Sequence, residues 1–421
     1  MIENLCRELA SVGPDGWERI ELRSSVSPAH SVASVRSGGR SRGDRRFDQL
    51  VPELLKITDR ARVDLTLDAD GRYELLVAHG VAETKMFERN LHHVVLDPHH
   101  RPVPPREPDP DLVIPDEVLR LDASLDLGDD IDEVEVVPPD LIVSYLATEA
   151  QSEAERAANP AEWGAPCFYQ GPPDVVRRMW WNPRWIPIGD FEDGRQLAID
   201  LDPGPAGVVG QVLELDYRIA RYVGPSLQDY LERRDLPVPE TLDHMGHLRR
   251  RDLAESVASF PDRDWLQQLQ LNDVADADLS PLASVPLLRE LKIDRGGALR
   301  IGDLARCPLE RLELNVTEVD LGALEGHPTL TSLTVTGGAE VRLPHLPALK
   351  VLDVGDAVLD VAELPPLSFL TLNPAQWAST TAKPAVAGVR GELSVPELAR
   401  WAARRTGGPV RLNRVESRLS W

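Results

Sequence analysis

The chain has 421 residues, of which 42% are hydrophobic and 27% charged, and its formal net charge is −23 at pH 7. This composition is that of a globular protein with about two to four domains, and it excludes a disordered or fibrous chain. The negative charge argues against direct binding of nucleic acid or anionic membrane surfaces, and it favours a basic protein partner.

Cysteine usage and the charge pattern predict the compartment. Cys6, Cys167 and Cys307 lie far apart, without the spacing of a disulfide framework or a metal site, as is typical of a reducing environment. The first ten residues alternate apolar and charged side chains, unlike a signal peptide. The longest charge-free run, 364–382, contains three prolines and many polar residues and cannot span a bilayer. We therefore expect a cytoplasmic protein.

Residues 1–103 are predicted to form a small α+β domain. Apolar residues near the start have helical spacing, 17–22 alternates as a strand, and 47–57 reads as a second helix. Residues 62–67 and 72–77 are expected to form a hairpin around an Asp-Ala-Asp-Gly turn. A helix followed by Pro-Asp-Gly-Trp-Glu-Arg-Ile and strands is also similar to small bacterial immunity domains.

A proline-rich linker, 104–111, leads into an acidic segment. Between Glu107 and Glu135, twelve carboxylates accompany the single base Arg120. Such a run is either a solvated, extended segment or a segment that attracts a cationic protein. The second interpretation makes the densest part of the run a candidate partner-binding site, namely Asp129, Asp130, Asp132 and Glu133.

The second domain, 112–236, contains a predicted antiparallel hairpin. Residues 196–202 alternate as a strand, a Pro-Gly-Pro-Ala-Gly turn follows, and 208–215 form the second strand. The alternation places Leu197 and Ile199 on a buried face, and Ala198, Asp200 and Asp202 on the opposite, solvated face.

This region resembles the SUKH superfamily, which includes the fungal cell-wall synthesis regulator and many bacterial immunity proteins. The matching motifs are the Trp-Trp-x-Pro-x-Trp-Ile-Pro approach from Trp180, the Asp200-Leu201-Asp202-Pro203 strand end, Gly207-x-x-Gly210-Gln211-Val212, and Ser226-Leu227-x-x-Tyr230-Leu231. The chain departs from the family pattern at 191–195, where a glycine run is expected, and at 147–159. The resemblance implies an α+β fold with an antiparallel sheet and a role in protein binding.

Two features of this domain have both a structural and a functional interpretation. Asp200 and Asp202 are the polar end of a strand, a partner contact, or a carboxylate pair for metal or acid–base chemistry. The tryptophans before the strand are either core or an interface anchor, with Trp181 the candidate for exposure.

After a connector, 237–263, the chain becomes repetitive over 264–380, and 381–421 is predicted to close the end of the repeats. Six Leu-x-x-Leu-x-Leu units have central positions 22, 21, 21, 19 and 18 residues apart. The pattern resembles leucine-rich repeats. Stacked units bury their leucines together, so we expect a solenoid with a parallel strand ladder.

The positions between the leucines are expected to face solvent as a polar, rigid surface suited to a large partner. The residues singled out for partner contact are Glu290, Lys292, Asp294, Arg311, Glu313 and Asn315.

Enzyme and metal signatures are weak in this sequence. It has no Gly-x-Ser-x-Gly elbow, no phosphate-binding loop and no His-Glu-x-x-His motif. The histidines His92, His93, His99 and His100 crowd together, but their spacing fits no closed zinc site. We predict no catalytic residues, no metal and no cofactor.

The fold expected is therefore a multidomain α+β chain: a small α+β domain, a SUKH-like domain with an antiparallel sheet, and a leucine-rich-repeat solenoid. The resemblance implies a non-enzymatic immunity protein that neutralises a bacterial toxin, such as a basic nuclease domain, by direct binding. A regulatory scaffold of the cell-wall regulator type is the alternative. The identity of the toxin, the surface used and the oligomeric state stay open.

Overall fold

The computed structural model describes residues 2–11, 19–26, 31–37, 40–42, 61–70, 72–83, 91–121, 134–191, 193–233, 245–249, 263–274, 276–361 and 364–418. These residues form a mixed α+β protein with several sheets and few helices. Across these ranges, no helix has the length and apolar character needed to cross a membrane.

The helices in chain order are α1 (Ile2–Ser11), α2 (Asp116–Leu119), α3 (Ile142–Ala158), α4 (Leu227–Arg233), α5 (Pro374–Ser379) and α6 (Val395–Thr406). The strands of the first third are β1 (Arg19–Val26), β2 (Ser31–Ser37), β3 (Arg40–Arg42), β4 (Ala61–Asp68), β5 (Arg72–His79), β6 (Ala82–Glu83), β7 (Leu91–Val95) and β8 (Val134–Val136). Those of the middle are β9 (Phe168–Gln170), β10 (Trp185–Phe191), β11 (Gln196–Asp200), β12 (Gln211–Asp216), β13 (Ile219–Gly224) and β14 (Met245–Arg249). The remaining strands are β15 (Gln268–Asn272), β16 (Ala277–Asp278), β17 (Glu290–Arg300), β18 (Arg311–Asp320), β19 (Ser332–Thr336), β20 (Val351–Asp353), β21 (Phe369–Leu372), β22 (Val386–Arg390) and β23 (Leu412–Arg418).

The chain divides into two compact units. Met1–His100 and Lys350–Trp421 make up the first unit, and Arg101–Leu349 the second.

The first unit contains an antiparallel sheet in the order β23-β5-β4-β1-β2-β3. In β4 every second residue is buried, from Ala61 to Leu67, because period-2 alternation turns one face to the core. Leu5 and Leu9 of α1 join that core. The predicted opening helix and the β4–β5 hairpin are confirmed, whereas the helix expected at 47–57 lies outside the described residues.

A second sheet of this unit joins strands from both ends of the chain. β20, β21 and β22 run parallel, and β7 pairs antiparallel with β22. Helix α6 begins with a capping box between Ser394 and Glu397 and ends at Gly407, whose φ of 70° is the left-handed C-cap conformation.

His92 on β7 is buried, and its Nδ1 atom has no hydrogen-bond partner within the described part of the chain. Burial, with smaller contributions from the charges of Arg62 and His93, lowers the pKa of His92 to about 3 from an ordinary 6.5. The folded unit therefore holds a neutral imidazole where the unfolded chain takes up a proton below pH 6.5.

This difference predicts an acid-sensitive fold. Because the folded pKa is the lower one, the contribution of His92 is fully present above pH 6.5 and is lost as the pH falls from 6.5 toward 3. We expect the free energy of unfolding of the first unit to fall between pH 7 and pH 5 by up to about 1.4 kcal/mol per pH unit, as measured by denaturant titration. The variant His92→Leu should lack this component, and the exposed-site control His99→Leu should retain it. An unchanged pH dependence in His92→Leu would contradict the assignment.

The second unit contains a six-stranded sheet in the order β8-β10-β11-β12-β13-β9, here called the hairpin sheet. The strands β8, β10, β11, β12 and β13 pair antiparallel, and β9 runs parallel to β13. The predicted hairpin is confirmed as β11 and β12, but its second strand begins at Gln211 instead of 208.

Both faces of β11 are covered, which corrects the expectation of a solvated face. Leu197 and Ile199 pack in a cluster with Trp181 and with Ile142 of α3. On the other face, Ala198 packs with Val175, Val176, Trp185 and Leu213. A central strand with two packed faces has no solvated side, so alternation of residue type does not report exposure here.

The second unit also contains a parallel stack of β14, β15, β17, β18 and β19. Leu269, Leu291, Leu312 and Leu333 are in register and fully buried. Each of the three middle turns then forms a short 3₁₀ segment that buries a further leucine, namely Leu282, Leu304 and Leu324. The spacing of the leucines thus matches the spacing of the strands.

Candidate functional site

The residues that alternate with the buried leucines form one polar face of the parallel stack. They make three rows across β15, β17, β18 and β19. The amino-end row is Gln268, Glu290, Arg311 and Ser332, the middle row is Gln270, Lys292, Glu313 and Thr334, and the carboxyl-end row is Asn272, Asp294, Asn315 and Thr336. Such a face carries hydrogen-bond donors, acceptors and charges on a backbone fixed by strand pairing.

The amino-end row is engaged by the hairpin sheet. Arg218, in the turn between β12 and β13, donates from Nη1 to Glu290 Oε2 at 3.1 Å. Gln268 Nε2 donates to the other oxygen of Glu290 at 3.2 Å. Glu290 is buried with both oxygens occupied, so the expectation that it faces solvent is wrong.

A second contact between the hairpin sheet and the stack is centred on Glu310. Glu310 Oε1 accepts from Arg178 at 2.8 Å and from Arg289 at 2.7 Å. Burial and the nearby charge of Arg178 lower the pKa of Arg289, and the interaction with Glu310 opposes this. One carboxylate therefore joins a loop of the hairpin sheet to the stack.

The third contact between the hairpin sheet and the stack is made by the amide side chain of Gln267. Gln267 is buried, its Oε1 accepts from the backbone N–H of Tyr169 at 3.2 Å, and its Nε2 donates to the carbonyl of the same residue. Gln267 thus satisfies both backbone groups of Tyr169 on β9, as a neighbouring strand would.

The middle row is half occupied by internal pairs. Glu313 is buried against Arg311, which donates to it from Nε at 2.8 Å, so Glu313 also departs from the expected exposure. Lys292 Nζ lies 3.6 Å from the second oxygen of Glu313, yet its side chain is 46% exposed. Lys292 is therefore available to a partner.

The carboxyl-end row is the most accessible part of the polar face. Asn315 donates from Nδ2 to Asp294 Oδ1 at 3.2 Å, and the Asp294 side chain is 40% exposed. The structure thus brings together the six predicted stack residues: Lys292 is exposed, Asp294, Arg311 and Asn315 are half-buried, and Glu290 and Glu313 are buried.

A recess of 560 Å³ lies beyond the ends of β15 and β19 and along the middle of β17 and β18, and its lining includes Asp273, Arg295, Asn315 and Gly337. Arg295 Nε pairs with Asp273 Oδ1 at 3.0 Å, and both residues have positive φ. Gly337 also has positive φ, and a Cβ there would lie 2.4 Å from the Val316 carbonyl oxygen. Only glycine fits at that wall.

A second recess of 700 Å³ lies along β16 and the far ends of β17 and β18, and is lined mainly by carboxylates with Arg300. Its aspartates are used locally: Asp278 accepts from Ser280 N at 2.9 Å, and Asp320 accepts from Gly322 N at 2.8 Å. These bonds shape the turns that follow.

Asp200 lies inside the hairpin sheet and is completely buried. It accepts from Gln211 Nε2 at 2.8 Å and from Asp202 N at 2.9 Å, and Gln211 also holds Val208 N and Val175 O. Burial raises the pKa of Asp200, and these hydrogen bonds oppose the rise. Of the two aspartates predicted to contact a partner, only Asp202 is partly exposed, and it pairs with Arg177 at 3.0 Å.

Trp181 is 3% exposed and packs in the core beneath α3, so its predicted exposure is wrong. It lies before β10 and packs against Ile186 and Ile188 of that strand. Trp180 is the partly exposed neighbour, and it packs edge-on against Tyr217 at 5.3 Å.

The acidic candidates Asp129, Asp130, Asp132 and Glu133 lie outside the described residues. At the start of the acidic run, Asp109 accepts from Arg184 Nε at 2.8 Å, and hydrogen bonds from Asp111 N and Arg184 lower its pKa. This part of the acidic run is therefore tied to the hairpin sheet.

The histidines and cysteines take separate positions. His92 and His93 are buried, His100 bonds to Ser368 at 2.8 Å, and the three cysteines are free and buried. Among the residues with described positions, no three or more His, Cys, Asp or Glu side chains form a group able to hold a metal ion.

Four residues that join the hairpin sheet to the stack were not predicted from the sequence, namely Arg178, Arg218, Gln267 and Glu310. Their partners lie far away along the chain, so no local pattern marks them. The recess had a signal: the glycine pair 296–297 lies within β17, and the pair 337–338 directly follows β19.

No protein-family model matches this chain, and no curated protein sequence matches it.

The Asp200 network predicts a structural role with a measurable cost. Asp200→Ala leaves the buried Gln211 amide and Asp202 N–H without their acceptor, so we expect a loss of about 1–3 kcal/mol in free energy of unfolding. Denaturant unfolding followed by tryptophan fluorescence measures it. Asp216→Ala, on the exposed end of β12, is the matched control and should change little. Equal stabilities for the two variants would show that the network is dispensable.

Proposed function

We propose that this chain is a non-enzymatic protein-binding protein that neutralises a basic bacterial toxin domain by covering its working surface. The observation that carries the proposal is the open carboxyl-end row of the polar face, a fixed line of polar side chains that includes Asp294 and Asn315. Covering a surface requires shape and affinity. A rigid strand array supplies both because little conformational entropy is lost on binding.

Charge supports a cationic partner. A formal net charge of −23 accelerates encounter with a basic protein and disfavours direct contact with nucleic acid. A toxin nuclease domain is basic because it binds phosphate backbones. The pairing of this chain with such a domain is electrostatically favourable.

The motifs in 179–234 that resemble the SUKH superfamily support the same class of function. So does the leucine-rich character of the repeats, since stacked repeats provide extended binding surfaces. On this proposal the protein acts in the cytoplasm, where an immunity protein meets a toxin that has entered the cell.

The regulatory scaffold is the second candidate. The division into two compact units, each with its own sheets, favours it because separate units can hold separate partners. It predicts a growth or signalling defect on deletion of the gene in cells that contain no toxin.

The test is co-purification with the products of the neighbouring genes, chosen for a toxin-like domain, together with survival of cells that express that domain. The triple variant Lys292→Ala, Asp294→Ala, Asn315→Ala should bind at least about tenfold more weakly, since it truncates the open polar side chains. The control is Asp303→Ala, Arg306→Ala, an exposed pair on a 3₁₀ turn of the stack. Absence of both a complex and protection would refute the proposal.

A further inference from the structure

The recess beside the carboxyl-end row of the stack is preformed, and its charged lining residues are Asp273 and Arg295. Its volume of 560 Å³ lies within the range of about 300–1,000 Å³ typical of ligand pockets. Much of its wall is backbone, from Gly296, Gly297 and Gly337. A side chain entering from outside can therefore approach main-chain atoms closely.

The backbone of the recess is held in place by hydrogen bonds between turns. Asp273 N donates to Asp294 O at 3.0 Å, and Gly297 N donates to Val274 O at 2.9 Å. These bonds hold Asp273 and Arg295 at φ of 57° and 61°, which is uncommon for residues other than glycine. The site is thus organised before a ligand arrives.

Two carboxylates lie at or beside the recess, against the single guanidinium of Arg295. Asp273 lines it, and Asp294 adjoins it through its hydrogen bond from Asn315. Asp294 Oδ1 accepts that bond, while Oδ2 lies 3.9 Å from Arg295 Nε, beyond hydrogen-bond distance. The hydrogen bond from Asn315 thus fixes Oδ1, and Oδ2 is still able to accept a hydrogen bond from a charged donor.

Arg295 occupies the position that an incoming cation would take. Its side chain is 66% exposed, and an ion pair this exposed contributes little stability, so it exchanges readily. A guanidinium from a partner can donate hydrogen bonds to the carboxylates while Arg295 turns into solvent.

We propose that this recess is the subsite that receives an arginine side chain of the basic protein partner, in exchange for the protein's own Arg295. The inference rests on the proposed function, and it adds the partner's chemistry at one defined position. A planar guanidinium suits the site because two carboxylates, Asp273 and Asp294, lie at its edge.

The test uses the full-length protein and the peptide acetyl-Gly-Arg-Gly-amide as the probe, with acetyl-Gly-Glu-Gly-amide and inorganic phosphate as comparisons. NMR follows the backbone amide of Gly337 and the side-chain amide of Asn315. The arginine peptide should shift both signals, and the comparisons should not. No shift, or an equal shift with phosphate or the glutamate peptide, would overturn the subsite.

Variants separate exchange from general electrostatics. Asp273→Asn with Asp294→Asn should weaken peptide binding by at least about fivefold, because the charge-assisted bonds are lost. Arg295→Ala should strengthen it, since the internal competitor is gone, and the exposed control Asp303→Asn should leave it unchanged. Weaker binding in Arg295→Ala would contradict the exchange.

The same variants distinguish the subsite from the proposed function. If the double variant captures the toxin domain as tightly as the unaltered protein does, the subsite is wrong and the proposed function stands. If the arginine peptide binds as described but no toxin domain is captured, the subsite stands and the proposed function is wrong.

Discussion

The arrangement of the second unit depends on a small set of charge and amide contacts, most of them buried, between the hairpin sheet and the parallel stack. Glu310 is shared by Arg178 and Arg289, Arg218 reaches Glu290, and Gln267 satisfies the backbone of Tyr169. Glu290 and Gln267 are buried and Arg218 is largely buried, so loss of a partner would leave polar atoms unsatisfied, whereas Arg178 is exposed. The contacts therefore fix one surface to the other.

These contacts between the hairpin sheet and the stack determine which part of the polar face is open. Arg218 occupies the amino-end row, and internal pairs occupy part of the middle row. The carboxyl-end row and the adjoining recess are left to a partner. An array of polar side chains that looks uniform in the sequence is thus divided into a structural half and an accessible half.

The elements with strong local signals were predictable from the sequence. The leucine spacing gave the parallel strands because each leucine must be buried against the same position in the next turn. The Pro-Gly turn and alternation gave the β11–β12 hairpin. Both patterns report neighbours along the strand or one turn away, which is the range over which sequence patterns are informative.

Exposure was not predictable in the same way. Asp200 is buried and accepts hydrogen bonds from Gln211 and the Asp202 N–H. Glu290 is buried and accepts one from Arg218, which lies 72 residues away along the chain. Trp181 faces inward because α3 covers its side of the sheet. In each case a tertiary partner decides the environment of the residue, and alternation along one strand carries no record of that partner.

The most direct test of this account is a double-mutant cycle on Arg218 and Glu290. Opening free energies would be measured by native-state hydrogen exchange at the amides of β13 and β17 in the unaltered protein, Arg218→Ala, Glu290→Ala and the double variant. The account predicts a coupling of at least about 1 kcal/mol between the two sites. A parallel cycle on the exposed Asp303–Arg306 pair should give a coupling within error of zero. Additive effects at Arg218 and Glu290 would contradict the claim that these contacts join the hairpin sheet to the stack.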